Sequence, residues 1–77
     1  MGIDKPIEQH KAVNYWAGVV GERVAEISEA EKIENGILTV KVKTPVWRNE
    51  LVFMKTDIIK KLNTELKKNV VKDIKFT

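Results

Sequence analysis

From about His10 to Ile27 the apolar residues Val13, Trp16, Val20, Val24 and Ile27 recur at helical spacing. At about 100° per residue they fall within a stripe of roughly 80°, which Ala17 extends, so the spacing predicts an amphipathic helix with one buried face. Gly21 stands at the edge of that stripe, where a missing side chain lets another backbone approach closely. Glu22, Glu26 and Glu29 share the opposite side and read as a solvated face.

The period then shortens. Asn35-Gly36 suits a two-residue type I′ turn, since both central residues need positive φ. After it Leu38, Val40 and Val42 alternate with Thr39, Lys41 and Lys43, the mark of a half-buried strand. Pairing across the turn sets Ile33 opposite Leu38, but it also sets Glu31 opposite Val40 on the inner face. The strand before the turn is therefore expected to be short, bulged or at the sheet edge.

Thr44-Pro45 marks a second helix start, with Thr44 as N-cap and Pro45 at the first helical position. Trp47, Leu51, Met54, Ile58 and Leu62 then form a core-facing stripe on a helix that ends near Lys68-Asn69. Val46 and Phe53 fall off that stripe. Either the helix bends and buries both sides, or the two form an exposed apolar spot; burial is the preferred expectation. From Val70 to Phe76, Ile74 and Phe76 alternate with Asp73 and Lys75 as a third strand.

Helix, hairpin, long helix, strand is an α+β order. A strand–helix–strand crossover makes the third strand parallel to the second, giving a mixed three-stranded sheet with helices packed on one face. Thr39, Lys41, Lys43 and Lys75 would then stand on the open face. Residues 1–8, with Gly2 and Pro6, read as a loose lead-in, and residues 9–77 as a single domain.

Composition narrows the function classes. The chain has 77 residues and no cysteine, so packing must hold the fold without disulfides or thiolate metal sites. No apolar run approaches the ~20 residues of a membrane span, and the N-terminus lacks a signal-peptide apolar segment. Pro6 stands where the myristoylation pattern wants Ser or Thr, so a cytoplasmic protein is expected. The net charge is +3, but residues 1–36 carry four Lys/Arg against seven Asp/Glu, and residues 37–77 carry ten against four. That asymmetry can present a basic surface to a polyanion or an acidic partner; lysine-rich helices that are simply solvated explain it equally well.

Catalytic groups are sparse. There is one histidine, His10, and one serine, Ser28, and nothing brings them together as a base and nucleophile. His10 reads as a surface or partly packed structural residue. Glu29, Glu31 and Glu34 are close in sequence but scatter over a turn and two sheet faces, so no metal site is expected. Gly18-Val-Val-Gly21 lacks the Lys-Ser/Thr ending of a phosphate loop. Neither an enzyme nor a cofactor is expected. For nucleic acid, Lys41, Lys43 and Lys75 offer a basic sheet face without aromatic residues for stacking. Lys60, Lys61, Lys67 and Lys68 form a basic end on the long helix, placed to touch phosphates or to complement the helix C-terminus.

Taken in order, Trp16 with Gly21, Asn35-Gly36-Ile37-Leu38-Thr39-Val40-Lys41-Val42, Trp47 with Glu50-Leu51, Leu62-Asn63 and Ile74-Lys75-Phe76 resemble the DciA family. These are bacterial proteins associated with loading of the replicative helicase. The resemblance spans about Trp16 to Phe76 and implies a KH-like αββαβ fold, the replicative helicase as partner, and single-stranded DNA as a second ligand. Larger family members carry disordered or zinc-binding extensions, which this chain is expected to lack. A KH domain grips nucleic acid with a GxxG loop between its core helices; the one GxxG here, Gly18 to Gly21, falls in the first helix. Trp16 and Trp47 both lie on core-facing stripes, and Trp47, beside Lys43 and Arg48, is the better placed to serve a partner.

The leading expectation is a non-enzymatic module that binds the helicase through Trp47, Arg48, Val46 and Phe53. The alternative is a stand-alone, sequence-nonspecific RNA- or DNA-binding protein using Lys41, Lys43, Lys75, Lys60, Lys61, Lys67 and Lys68. A monomer is expected, or a weak dimer through the free edge of the first strand.

Overall fold

In a computed structural model the backbone is described from Asp4 to Thr77 and the side chains from Lys11 onward. The elements are α1 (Asp4–Val20), α2 (Glu22–Ile27), β1 (Ser28–Glu34), β2 (Ile37–Val42), α3 (Pro45–Leu66) and β3 (Asp73–Phe76). The sheet order is β1-β2-β3, with β1 antiparallel and β3 parallel to the central β2. Helix α1 lies over β1, α3 lies over β3, and the two helices touch each other. The expected α+β architecture and mixed sheet are both present.

The first helix differs from expectation at both ends. It begins at Asp4 rather than near His10, so residues 4–8 of the expected lead-in are helical, while residues 1–3 lie outside the described residues. The His10 side chain also lies outside them. At the other end, Gly21 interrupts the helix with φ 90° and ψ 164°, a conformation essentially restricted to glycine. Its own N–H still donates to the Ala17 carbonyl at 3.0 Å, and its carbonyl accepts from Ala25 N–H at 2.9 Å. Gly21 is therefore needed for its backbone angle; a Cβ there would meet open space, so close approach of another backbone is not the reason. The buried face is nevertheless the expected one: Trp16 and Val24 are buried, Val13, Val20 and Ile27 are half-buried against the core, Ala12 joins them one turn before Trp16, and only Ala17, at the edge of the stripe, is exposed.

The hairpin turns through Asn35 (φ 53°) and Gly36 (φ 81°), as a type I′ turn requires. Ile33 pairs with Leu38, and the register then shifts, so that Ala30 rather than Glu31 faces Val40. The bulge removes Glu31 from the inner face, and the edge strand keeps a small apolar residue there.

Thr44 caps α3 by accepting the Trp47 N–H on Oγ1 at 3.1 Å, and Lys67 closes the helix in the left-handed conformation. Leu51, Ile58 and Leu62 are buried against Leu38, Val40, Val42, Val71 and Ile74. Asn63 holds the turn into β3: Oδ1 accepts from Val70 N–H at 3.1 Å and Val71 N–H at 2.8 Å, and Nδ2 donates to the Val71 carbonyl at 2.9 Å. The loop is also clasped to the hairpin, since Lys72 and Asp73 N–H groups both donate to the Gly36 carbonyl.

Candidate functional site

The first half of α3 is where core geometry and surface part. Burial of Val46 and Phe53 was the preferred expectation, and the structure corrects it: Val46 is 71% exposed and Phe53 86% exposed. The reason is the number of layers. Sheet and α1 cover α3 from one side, and no described element covers the other. On a helix, residues seven apart return to nearly the same direction, so Val46 and Phe53 share one outward row about 120–180° from the buried Leu51, Ile58 and Leu62. Val52 and Met54, also exposed, flank Phe53; Met54 sits at the edge of the expected core stripe rather than in it. Four exposed apolar side chains thus fall within nine residues of α3, and apolar surface clustered in this way, rather than scattered singly, is the kind that marks interaction sites.

The four side chains expected to serve a partner are not all brought together. Trp47 is half-buried and packs on the core, about a quarter-turn from Val46. Arg48 is half-buried on the flank it shares with Lys55, seven residues on. That flank faces β3, for Lys55 Nζ meets Asp73 Oδ1 at 3.1 Å. Lys55 and the Ile74 N–H, in that order, hold the Asp73 carboxyl below the usual carboxylate range.

The open sheet face carries Thr39, Lys41 and Lys75 as expected, with Lys43 exposed beyond the end of β2. It is not uniformly basic. Glu29 pairs across from Lys41, Glu34 holds Lys32 at 3.0 Å, and Asp73 lies beside Ile37. Edge strand β1 contributes Glu29 and Glu34, which periodicity in β2 and β3 alone does not show, and β3 itself contributes Asp73.

The lysines at the end of α3 do cluster. Lys60, Lys67 and Lys68 line an open concavity of about 450 Å³ with Ile59, Asn63, Thr64 and Asn69, and none of the described residues that line it is acidic. Lys61 lies around the helix, where Lys60, Thr64, Glu65, Gly18 and Val19 border a second hollow of about 290 Å³. Gly18 is helical and Gly21 forms the junction of α1 and α2, so the GxxG segment spans the end of a helix rather than an open loop.

Sequence reasoning missed a buried polar pair. Trp16 Nε1–H donates to Ser28 Oγ at 2.9 Å, and the Ser28 hydroxyl donates to the Val24 carbonyl at 2.6 Å. The signal was a lone serine closing an apolar helix, beside a tryptophan whose N–H needs a partner. Among the described residues no group of three or more His, Cys, Asp or Glu could hold a metal ion, and no helix is long and apolar enough to cross a membrane.

A mixed three-stranded sheet covered on one face by two long helices, with its exposed apolar row on the helix that links β2 to β3, defines a small α+β domain built around a β-α-β crossover. The chain belongs to the DciA family: the family model, described as the Dna(C/I) antecedent, DciA, matches residues 1–76. It is similar to a UPF0232 protein of Rhodococcus jostii, 28% identical over 76 residues, covering 99% of this chain and 40% of the relative. A UPF0232 protein of Mycobacterium tuberculosis is 24% identical over 71 residues, covering 92% and 38%, and one of Bifidobacterium longum is 27% identical over 64 residues, covering 83% and 41%. The chain thus spans about two fifths of the length of the curated relatives it matches.

Proposed function

We propose that this chain is a non-catalytic, cytoplasmic interaction module that binds the bacterial replicative helicase, the role associated with the DciA family. The observation that carries the reading is the exposure of Phe53 and Val46 on the outer row of α3. An isolated monomer gains nothing by presenting a phenylalanine to water, whereas an aromatic anchor is what a protein interface concentrates its binding energy on. Trp47 serves as the packed base beneath that row, and Arg48 extends the surface towards β3. Mixing the chain with purified helicase after nuclease treatment, followed by sizing, should give a stable complex at micromolar concentrations. Absence of any complex there would sink the reading.

A second reading has its own observation, the lysine-lined hollow at the end of α3. Lys60, Lys67 and Lys68, helped by Lys61, would contact phosphates of single-stranded DNA or RNA without reading sequence, with Lys41, Lys43 and Lys75 as a weaker and partly compensated site. Binding of this kind weakens with salt at a log–log slope of about −0.7 per phosphate contact. A flat response in a salt series would eliminate it.

A further inference from the structure

The row that carries Val46 and Phe53 also carries two carboxylates. Counting in helical steps, Glu50 lies one turn before Phe53 and Asp57 one turn after it, so Val46, Glu50, Phe53 and Asp57 form one continuous exposed ridge. Acidic residues are scarce in this half of the chain, with four against ten basic ones between residues 37 and 77. Of the four, Asp73 is bound by Lys55, and Glu65 borders the hollow beside Lys61. Glu50 and Asp57 make no ion pair among the described residues, not even Asp57 with Lys60 or Lys61, three and four positions on. Two carboxylates that form no ion pair among the described residues thus bracket the most exposed aromatic side chain of an otherwise basic helix.

We propose that this ridge docks into an apolar pocket of the helicase whose rim carries arginine or lysine side chains, with Phe53 filling the pocket and Glu50 and Asp57 meeting the rim. The proposal rests on the helicase reading above and adds the chemistry of the partner surface. Charge favours this occupant over a second copy of the chain. In an antiparallel pairing of two α3 helices centred on Phe53, Glu50 of one copy opposes Thr56 of the other and has Lys60, exposed seven residues after Phe53, one turn away, but Asp57 opposes Asn49 and meets no cation, so a second copy satisfies only one of the two carboxylates. A basic rim satisfies both. Rim charges of this kind act mainly on the association rate and on salt dependence, and the apolar anchor on the lifetime of the complex.

The test uses the whole 77-residue chain and purified replicative helicase of the same organism, titrated at low and high salt. Circular dichroism monitors the fold, which these exposed positions leave intact. Phe53→Ser is expected to raise Kd by at least about thirtyfold at both salt concentrations, as loss of a hot-spot aromatic does. Glu50→Lys with Asp57→Lys should raise it by about tenfold or more at low salt, with the deficit shrinking at high salt. The neutral pair Glu50→Gln and Asp57→Asn should lie between wild type and the reversed pair, with its salt dependence shifted the same way. If wild type binds and all three variants bind within about twofold of it, the ridge is not the docking surface, while the helicase reading stands. If wild type does not bind, both fall together. A wild-type dimer in sizing that Phe53→Ser dissolves would assign the ridge to a second copy. Loss of single-stranded DNA binding in Phe53→Ser, with helicase binding kept, would assign it to nucleic acid. Either result overturns the proposal.

Discussion

Trp16 and Ser28, twelve residues apart, meet inside the core through a 2.9 Å hydrogen bond from the indole N–H to the hydroxyl oxygen. Because the Ser28 hydroxyl also donates to the Val24 carbonyl, one side chain ties the end of α2, the start of β1 and the face of α1 together. Phe76 stands against the same indole, ring centroids 6.4 Å apart, so the end of β3 joins the cluster. Ser28→Ala leaves the Trp16 N–H buried without an acceptor and is expected to cost about 1–3 kcal/mol. Trp16→Phe removes the donor itself, so adding Ser28→Ala to that background should cost distinctly less. Urea unfolding of the four proteins in this double-mutant cycle measures the coupling.

Asn63 makes three hydrogen bonds to the backbone of Val70 and Val71 and so sets where the chain leaves α3 for β3. Asn63→Ala should lower stability by about 2–3 kcal/mol, at roughly 1 kcal/mol for each partly buried bond. Asn63→Asp keeps the acceptor but turns the donor towards the Val71 carbonyl into a second acceptor. It should recover part of the loss and not all of it, as thermal melts at neutral pH would show.

Gly21 occupies a backbone region closed to other L-residues, although there is room for a methyl group. Gly21→Ala is therefore expected to destabilise by about 1–3 kcal/mol through strain alone. Gly18→Ala, in the helical part of the same segment with open space around it, should be neutral or stabilising by up to about 1 kcal/mol. The opposite signs separate conformational need from crowding in a single pair of denaturation curves.

Asp73 has a folded-state pKa below its usual 3.8, because Lys55 and the Ile74 N–H bond the charged form. A depressed carboxyl contributes stability above its unfolded pKa and loses it as pH falls through the folded value. Stability should thus decline on acidification below about pH 4, and Asp73→Asn should flatten that part of the profile. The pair is exposed to solvent, so the effect is small, and added salt should shrink it.

Trp47 and Phe53 should separate stability from binding. Trp47→Ala removes a side chain packed on the core and is expected to cost about 2 kcal/mol. Phe53→Ala, at a position 86% exposed, should change stability by no more than about 0.5 kcal/mol. Chemical denaturation of the two variants side by side checks the contrast.

The order of elements was legible because each has a local cause. Asn35-Gly36 needs two positive φ angles, Thr44-Pro45 starts a helix, and alternation in Leu38–Val42 fits only a strand with one face covered. Even the bulge was foreseeable, since Glu31 could not remain on the inner face of an unbroken register. Gly21 was recognisable as unusual, but its role was not. A glycine within an apolar helical stripe has the same sequence appearance whether it admits a neighbour or turns the backbone.

What the sequence by itself determined is the fold class, the turn, the Thr44 cap and most of the core stripe of α3, all of which depend on spacings within a few residues. Only the tertiary structure decided which side of α3 would stay bare, because burial off the stripe depends on whether another layer exists to cover it. The same holds for the sheet face and the lysines. Whether a lysine stands in a basic field depends on which strand lies alongside, and β1 brings Glu29 and Glu34 next to β2, while the described residues around the hollow that Lys60, Lys67 and Lys68 border include no acid. Periodicity tells each residue's direction from its own axis; what waits in that direction is a property of the packed chain.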